Sequence, residues 1–312
     1  MNQTTNFTLP AQIVAANITA AKGKTELSIL RLVLLGTFAG MFIAGGAAAS
    51  SVAMHAVSNV GLARLVAGVI FPVGLMMIVF VGGELFTGDC LMIMGCLHGK
   101  ISVRSMLRVL AVVFCSNFFG AALFAALVNS SGQFTYTNNL LGAFTIKVAL
   151  GKVNLSFLSA FLSGLLCNFF VCIAVLMAAA AKDIAGKALA IFFPIMAFVV
   201  SGYEHCVANM YYIPAGIFAA SSEVYASAAE TAFGYTASQL EALTWGNFLI
   251  RNLLPVTLGN IVGGMVFVGI PLYLIHSTKL RQDGPVAARS RESSAAETFI
   301  TGSYPHAVSA AD

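Results

Sequence analysis

The chain has 312 residues, of which 59% are hydrophobic and only 9% are charged, and its mean hydropathy is +0.89. A soluble globular domain carries about 25% charged residues, so this composition excludes that class and indicates a membrane protein. The formal net charge is +4, but the basic residues do not cluster on a soluble segment, so we do not expect a nucleic-acid partner.

The first segment, residues 1–27, is polar and lacks the pattern of a cleavable signal peptide. We therefore expect the first spanning helix to direct insertion. Residues 9–24 predict a short amphipathic helix with Leu9, Ile13 and Ile18 on its apolar face. The segment is interpreted as a cytoplasmic interfacial helix.

Six apolar stretches follow, and they define a channel domain over residues 28–278. A spanning helix needs about 20 mostly apolar residues, and most of the stretches meet that length. They lie at about 28–54, 61–83, 103–128, 154–181, 186–202 and 247–275. The sequence thus predicts an all-α membrane protein with six transmembrane helices.

Helices 2 and 5 are interrupted. The second stretch stops at Gly82, Gly83 and Glu84 and is followed by a short apolar run, and the fifth stops at 201–205 (SGYEH) and resumes as an apolar run. Irregular backbone at membrane depth must be buried in protein or line a watery cavity. Each break therefore predicts a helix that ends near mid-membrane and continues as a half helix.

The distribution of Lys and Arg predicts the orientation. With the N-terminus inside, twelve of the sixteen Lys and Arg residues lie on the inner side, and only Arg64, Lys147, Lys152 and Arg251 lie outside. Both termini are then cytoplasmic. The Ala-, Ser- and Arg-rich stretch that ends the chain predicts a disordered cytoplasmic tail over 279–312.

An internal repeat relates the two halves. Asn117 and Gly120 in span 3 match Asn260 and Gly263 in span 6, and the break at Glu84 matches the break at Glu204. Three spans followed by three related spans must have opposite orientations, so the repeat is an inverted 3+3 repeat. Such folds place the permeation path at the repeat interface, between discontinuous helices.

The breaks carry the candidate functional groups. The N-terminal end of each half helix has partial positive charge and free N–H donors, which suits an anion. Glu84 and Glu204 are predicted to cap these ends, and Asp89 either caps or lies near the inner mouth. His205 follows a break beside a carboxylate and changes charge near neutral pH, so it can donate a hydrogen bond or a proton. Asn168 is predicted to form an interhelical hydrogen bond or a pore contact.

Small residues provide packing. The glycines at 36, 40, 45, 259 and 263 have the spacing of close helix contacts. The six cysteines lie in or beside apolar runs without metal-ligand spacing, so we interpret them as packing residues and expect neither a metal nor a cofactor.

Four motifs together resemble the formate/nitrite transporter family, with similarity to its formate channels over residues 10–278. They are ELFTG at 84–88, CNFFVC at 167–172, SGYEHCVANM at 201–210 and LPVTLGN at 254–260. The resemblance implies an aquaporin-like protomer with its own pore, assembled as a homopentamer in the cytoplasmic membrane. It implies a channel and not an enzyme.

The resemblance also implies roles for individual residues. His205 would be the central pore histidine, Thr87 its partner and Asn168 a second polar contact, with Glu204 beside them. Lys152 would be the outer vestibule lysine and Lys22 the inner one, with Lys24 as the alternative. Two apolar constrictions would consist of Phe71, Leu75, Leu85, Phe86, Val171 and Phe198. Asp89 stands where the family has a small neutral or amide residue, and Asn154 and Leu155 replace histidines of the formate-channel pattern.

The resulting hypothesis is pH-dependent, proton-linked passage of a small weak-acid anion, with His205 neutral at rest because a buried unpaired imidazolium is costly. The substrate order is formate first, then nitrite or hydrosulfide. A neutral-solute channel of the water or glycerol type is the alternative of another class, although Asn-Pro-Ala repeats are absent from the sequence. An intramembrane enzyme would need a Ser/Lys pair, paired aspartates or HExxH, which the sequence lacks.

Overall fold

The computed structural model describes residues 7–282, with side chains described up to residue 277. The regular secondary structure of this part is helical, apart from an isolated β-bridge between Phe7 and Ala181. Six of its helices are long and apolar enough to cross a membrane, and two shorter apolar helices accompany them. The predicted all-α architecture with six spans is confirmed.

The helices are numbered here in chain order. They are α1 (Pro10–Glu26), α2 (Ile29–Met54), α3 (Val60–Val81), α4 (Phe86–Leu97), α5 (Val103–Ser130), α6 (Leu140–Val153), α7 (Phe157–Ala180), α8 (Ile184–Ser201), α9 (Cys206–Ala220), α10 (Glu223–Phe233), α11 (Ala237–Leu240) and α12 (245–282). α3 is interrupted at Pro72, which lacks an N–H for the helical ladder. α12 contains two π segments, and its last segment is Ile270–Gln282.

Polar caps start the apolar helices. Ser28 accepts the Arg31 N–H at the start of α2, and Ser156 accepts the Ser159 N–H at the start of α7. Ser102 and Asp183 act in the same way at α5 and α8. These short side chains mark where each apolar run becomes a helix.

The inverted repeat is visible in the packing. α2 packs along α5 in the first half, and α7 packs along α12 in the second. A Cβ on Gly120 would lie 2.0 Å from the Thr37 carbonyl oxygen, and one on Gly263 would lie 2.2 Å from that of Leu165. Glycine is therefore needed where the two backbones touch.

The predicted close contacts hold for most of the glycines named from the sequence. A Cβ on Gly40 or Gly259 would lie within 2.2 Å of a carbonyl oxygen of the neighbouring helix, and one on Gly36 would lie 2.7 Å from the Ser116 Cβ. Gly45 is different, because its nearest neighbour would be the Phe124 ring at 3.7 Å, an ordinary contact. The prediction was wrong at that position.

α1 is docked on the helix bundle. Its Val14 and Ile18 side chains are buried with residues of α4, α7 and α12, whereas Leu9 is exposed. The interfacial location of residues 1–27 and the other domain boundaries stay predictions. Of the predicted tail, residues 279–282 continue the last helix, and residues 283–312 lie outside the described part of the chain.

Candidate functional site

Each of the two predicted breaks begins at a glycine with positive φ and ends at a residue in the same extended conformation. The first begins at Gly82, with φ +103°, and the second at Gly202, with φ +74°, a region that favours glycine. The residues immediately before the two half helices are Leu85 (φ −112°, ψ 120°) and His205 (φ −108°, ψ 116°). The repeat thus places a leucine and a histidine at equivalent positions.

Two buried asparagines hold the breaks in place. Asn117 accepts the Phe86 N–H at 3.0 Å and donates to the Gly36 and Glu84 carbonyls at 2.7 and 2.9 Å. Its fully buried side chain comes from α5. One amide thereby satisfies polar backbone groups on both sides of the interruption.

Asn260 of α12 repeats this arrangement at the second break. It accepts the Cys206 N–H at 2.9 Å and donates to the Gly164 and Glu204 carbonyls at 2.7 and 3.0 Å. The predicted capping of the half helices by the Glu84 and Glu204 carboxylates was therefore wrong. The asparagine amides from the neighbouring helices accept the free N–H groups instead. The Glu84 and Glu204 carboxylates each form an ion pair with a lysine.

His205 and Thr87 meet at the N-terminal ends of the two half helices. His205 Nε2 lies 3.1 Å from Thr87 Oγ1, and His205 Nδ1 accepts the Ala208 N–H at 3.1 Å. Because Nδ1 is an acceptor, the ring proton is on Nε2 in this geometry. The imidazole is then neutral and directs its only N–H donor toward Thr87.

Asn168 connects the first half helix to α12. Its Nδ2 donates to the Thr87 carbonyl at 3.1 Å and to the Asn260 carbonyl at 2.7 Å. The side chain is fully buried. It therefore forms the predicted interhelical hydrogen bonds and fixes the backbone of Thr87.

The second-repeat cluster surrounds Glu204. Lys152 Nζ lies 2.8 Å from Glu204 Oε1, while the Asn209 and Asn252 amides donate to Oε2 at 2.7 and 3.2 Å. The Asn209 amide also donates to Asn252 Oδ1, and Asn252 donates to the Lys152 carbonyl. We call Lys152, Glu204, Asn209 and Asn252 the second cluster. One ammonium and one carboxylate make its formal charge zero.

The first-repeat cluster contains one lysine and two carboxylates. Lys24 Nζ lies 2.5 Å from both Glu84 Oε2 and Asp89 Oδ1. Burial opposes the charge on Lys24, but Asp89 and Glu84 outweigh that effect and raise its pKa above the usual range. We call Lys24, Glu84 and Asp89 the first cluster.

The structure distinguishes Lys24 from Lys22. Lys22 is exposed and lies 3.7 Å from Glu26 on the same helix. Lys24 stands four residues before the N-cap Ser28, as Lys152 stands four residues before the N-cap Ser156. Lys24, and not Lys22, is thus the counterpart of Lys152 in position and contacts. The role of Lys22 as the inner vestibule residue stays a prediction.

The predicted constriction residues are buried around the central pair. The Phe71 and Phe198 rings meet edge to face at 5.6 Å, and Phe198 stacks on His205 at 6.1 Å. Phe86 packs on the Phe114 ring at 4.9 Å. All six belong to one apolar cluster: Phe71, Leu75, Leu85, Phe86, Val171 and Phe198. Their role as constrictions stays a prediction.

Sequence reasoning missed the amides. Asn117 and Asn260 served only as markers of the repeat, and Asn209 and Asn252 were not assigned a role. A comparison of register would have found Asn209, which follows Glu204 by five residues as Asp89 follows Glu84. The six cysteines are free thiols, and four of them are buried as expected of packing residues, whereas Cys96 is partly buried and Cys115 is exposed.

The fold and the site define a class of protein, a multi-spanning membrane transporter with an inverted repeat and discontinuous helices. The family model described as formate/nitrite transporter matches residues 11–274. The chain belongs to the formate/nitrite transporter family, a family of channels and transporters and not of enzymes.

Individual relatives agree with this assignment. The chain is 37% identical over 281 residues to a probable formate transporter of Methanothermobacter thermautotrophicus, covering 84% of this chain and 95% of the relative. It is 36% identical over 219 residues to the formate channel FocA of Escherichia coli, covering 69% and 75%. A solved pentameric formate channel with formate bound has 33% identity and a TM-score of 0.71, with 80% of this chain and 98% of that chain covered.

Proposed function

We propose that this protein passes formate, a small weak-acid anion, through a pore whose centre is the His205–Thr87 pair. The observation that carries the proposal is the meeting of these side chains, 3.1 Å apart, at the N-terminal ends of two half helices. Those ends direct partial positive charge toward the same point. The relatives named for formate support this substrate over nitrite and hydrosulfide.

The central hydrogen-bond donor follows from the ring geometry. Nδ1 accepts the Ala208 N–H, so the neutral ring offers its Nε2–H to an anion that replaces the Thr87 contact. For proton-linked passage, Nδ1 must release the Ala208 N–H and take up a proton from solution, which makes the ring an imidazolium. Nε2 then gives its proton to the anion and leaves a neutral ring with its proton on Nδ1, so His205 would be charged only between these two steps.

The surrounding groups would select the anion. Buried apolar side chains such as Phe71 and Phe198 oppose a hydrated charge, so passage favours a species that is nearly neutral. Lys24 and Lys152 flank the centre from the two repeats. We place the protein in the cytoplasmic membrane as a homopentamer with both termini cytoplasmic, on the basis of the Lys and Arg distribution and the pentameric relative.

Swelling of proteoliposomes in a stopped-flow instrument tests the function. Formate, nitrite, hydrosulfide and glycerol are compared for the wild type, His205→Asn and a control, His55→Asn, whose ring contacts Thr137 away from the break. We expect formate flux to rise as external pH falls. His205→Asn should reduce this flux and flatten its pH dependence, because the amide can still donate a hydrogen bond but can neither bind nor release a proton.

Other outcomes would contradict parts of the proposal. Faster swelling in nitrite or hydrosulfide than in formate would change the substrate within the family. Swelling in glycerol alone would indicate a neutral-solute channel. If formate flux had no pH dependence and His205→Asn kept the wild-type rate and selectivity, the histidine mechanism would be wrong.

A further inference from the structure

Asp89 is a buried carboxylate that the proposed pathway does not use. Its side chain is 1% exposed, and Oδ1 contacts Lys24 Nζ at 2.5 Å. Its Oδ2 is buried and has no hydrogen-bond partner in the described part of the chain. Glu84 is its neighbour, because Glu84 Oε2 contacts the same Lys24 Nζ, also at 2.5 Å.

The groups facing Asp89 cannot neutralise both acids. Lys24 on α1 supplies one positive charge, while Glu84, in the same break as Asp89, supplies a second negative charge. The other titratable neighbours are the thiols of Cys90 on α4 and Cys172 on α7. On α5, Arg108 donates to the Thr25 carbonyl, and the facing π segment Val262–Gly269 has no titratable residue. Within the described residues, the first cluster therefore has one carboxylate in excess.

The repeat shows what a neutral version of this site looks like. Asn209 occupies the position equivalent to Asp89, five residues after the glutamate, and the second cluster is formally neutral. Two carboxyl groups that contact one ammonium in a low-dielectric site favour holding one proton between them, since two adjacent negative charges repel. With that proton the first cluster is neutral, and without it the cluster carries one negative charge.

We propose that Glu84 and Asp89 bind one proton between them, and that this proton controls anion access from the first-cluster end of the pore. The inference rests on the proposed function in that the anion is taken to be formate. Asp89 lies in the same helical turn as Thr87, so its charge acts close to the pore centre. Low pH on that side adds the proton and removes the repulsion, and high pH removes the proton and slows the anion.

Formate flux from each side tests the proposal. Right-side-out and inverted membrane vesicles from the same cells present the two ends of the pore separately, and vesicles from cells without the protein give the background. We compare the wild type with Asp89→Asn, which copies Asn209, and with Glu26→Gln, which removes an exposed acid from α1. The ratio of wild-type to Asp89→Asn flux from the first-cluster side should fall by up to about tenfold per pH unit once the proton dissociates. Glu26→Gln should keep the wild-type profile.

The reciprocal variant Asn209→Asp should create a similar pH dependence on the opposite side. Difference infrared spectroscopy between low and high pH provides a readout that needs no transport, and the protonated carboxyl band of the wild type should be absent from Asp89→Asn. If Asp89→Asn kept the wild-type profile on that side, or kept the band, the proposal would be overturned. Absence of any formate flux in the wild type would defeat the proposed function, while the infrared band would still decide whether the acids hold a proton.

Discussion

The two repeats have the same backbone arrangement and different charges. Asn117 and Asn260 form equivalent triplets of hydrogen bonds at the two breaks. Around Glu84 and Glu204 the halves diverge, because the first has Asp89 where the second has Asn209. The two repeats thus share the asparagine hydrogen bonds that stabilise each broken helix, and they differ in the charges near each break.

A second difference supports this distinction. Asn252 stands eight residues before Asn260 and donates to both Glu204 and the Lys152 carbonyl, while the equivalent residue eight before Asn117 is the buried Val109. The Glu204 carboxylate therefore has two amide donors besides its lysine. In the first cluster, Lys24 provides the contacts to both acids, so that cluster depends more strongly on its lysine.

We expect the largest effect from removing the asparagine hydrogen bonds that the two repeats share. Asn117→Ala and Asn260→Ala each remove three hydrogen bonds from buried backbone groups, and an unsatisfied buried group costs about 1–3 kcal/mol. We expect both variants to lower the midpoint of thermal unfolding in detergent by a similar, large amount. Asn154→Ala, at an exposed site, should leave the midpoint near the wild-type value.

A large loss for one variant and a small loss for the other would contradict the equivalence of the two breaks. Size-exclusion chromatography of the same samples separates loss of assembly from loss of the protomer fold. The comparison is matched because both side chains are fully buried asparagines on equivalent helices.

The sequence could predict the breaks but not what satisfies them. Gly82 and Gly202 interrupt apolar runs, and glycine with a neighbouring carboxylate is a local signal of a break. The partners of the freed N–H groups come from Asn117 and Asn260, which are far away in the sequence, and spacing alone does not show which side chain reaches them. The adjacent Glu84 and Glu204 were therefore given the capping role.

The central pair was predicted more successfully than its surroundings. The motif resemblance named both His205 and Thr87, and the structure brings them to 3.1 Å. It did not predict that Nδ1 accepts from Ala208, because that depends on the rotamer of the ring. The helix α6, which carries Lys152 as α1 carries Lys24, was also missed, since at 14 residues it is too short to be found as a membrane span.

The second-largest effect concerns the lysines, whose removal should destabilise the two clusters to different extents. Lys24→Met leaves two buried acids without their ammonium, whereas Lys152→Met leaves Glu204 with the Asn209 and Asn252 amides. Removing one partner of a buried ion pair costs about 3–5 kcal/mol, and partial exposure of Lys24 reduces that figure. We expect Lys24→Met to lower the thermal midpoint more than Lys152→Met does.

A double variant tests the cause. Asp89→Asn in the Lys24→Met background should recover part of the lost stability, because it removes one of the two unpaired acids. Asn209→Ala in the Lys152→Met background should give no recovery, since it removes a donor from Glu204. Equal losses in the two lysine variants, or no recovery with Asp89→Asn, would argue against an excess carboxylate in the first cluster.

The smallest expected effect concerns the choice between Lys22 and Lys24. Within residues 7–282, Lys22 is exposed and pairs with Glu26 in the same helix, and an exposed i,i+4 pair contributes about 0.3–0.5 kcal/mol. Lys22→Met should therefore leave the thermal midpoint nearly unchanged, in contrast to Lys24→Met at a position two residues away. Formate flux from the first-cluster side should also respond to Lys24→Met and not to Lys22→Met, because only Lys24 contacts the two acids. A larger loss of flux with Lys22→Met would support Lys22 as the inner vestibule residue. It would also show that the two repeats do not place their functional lysines at equivalent positions.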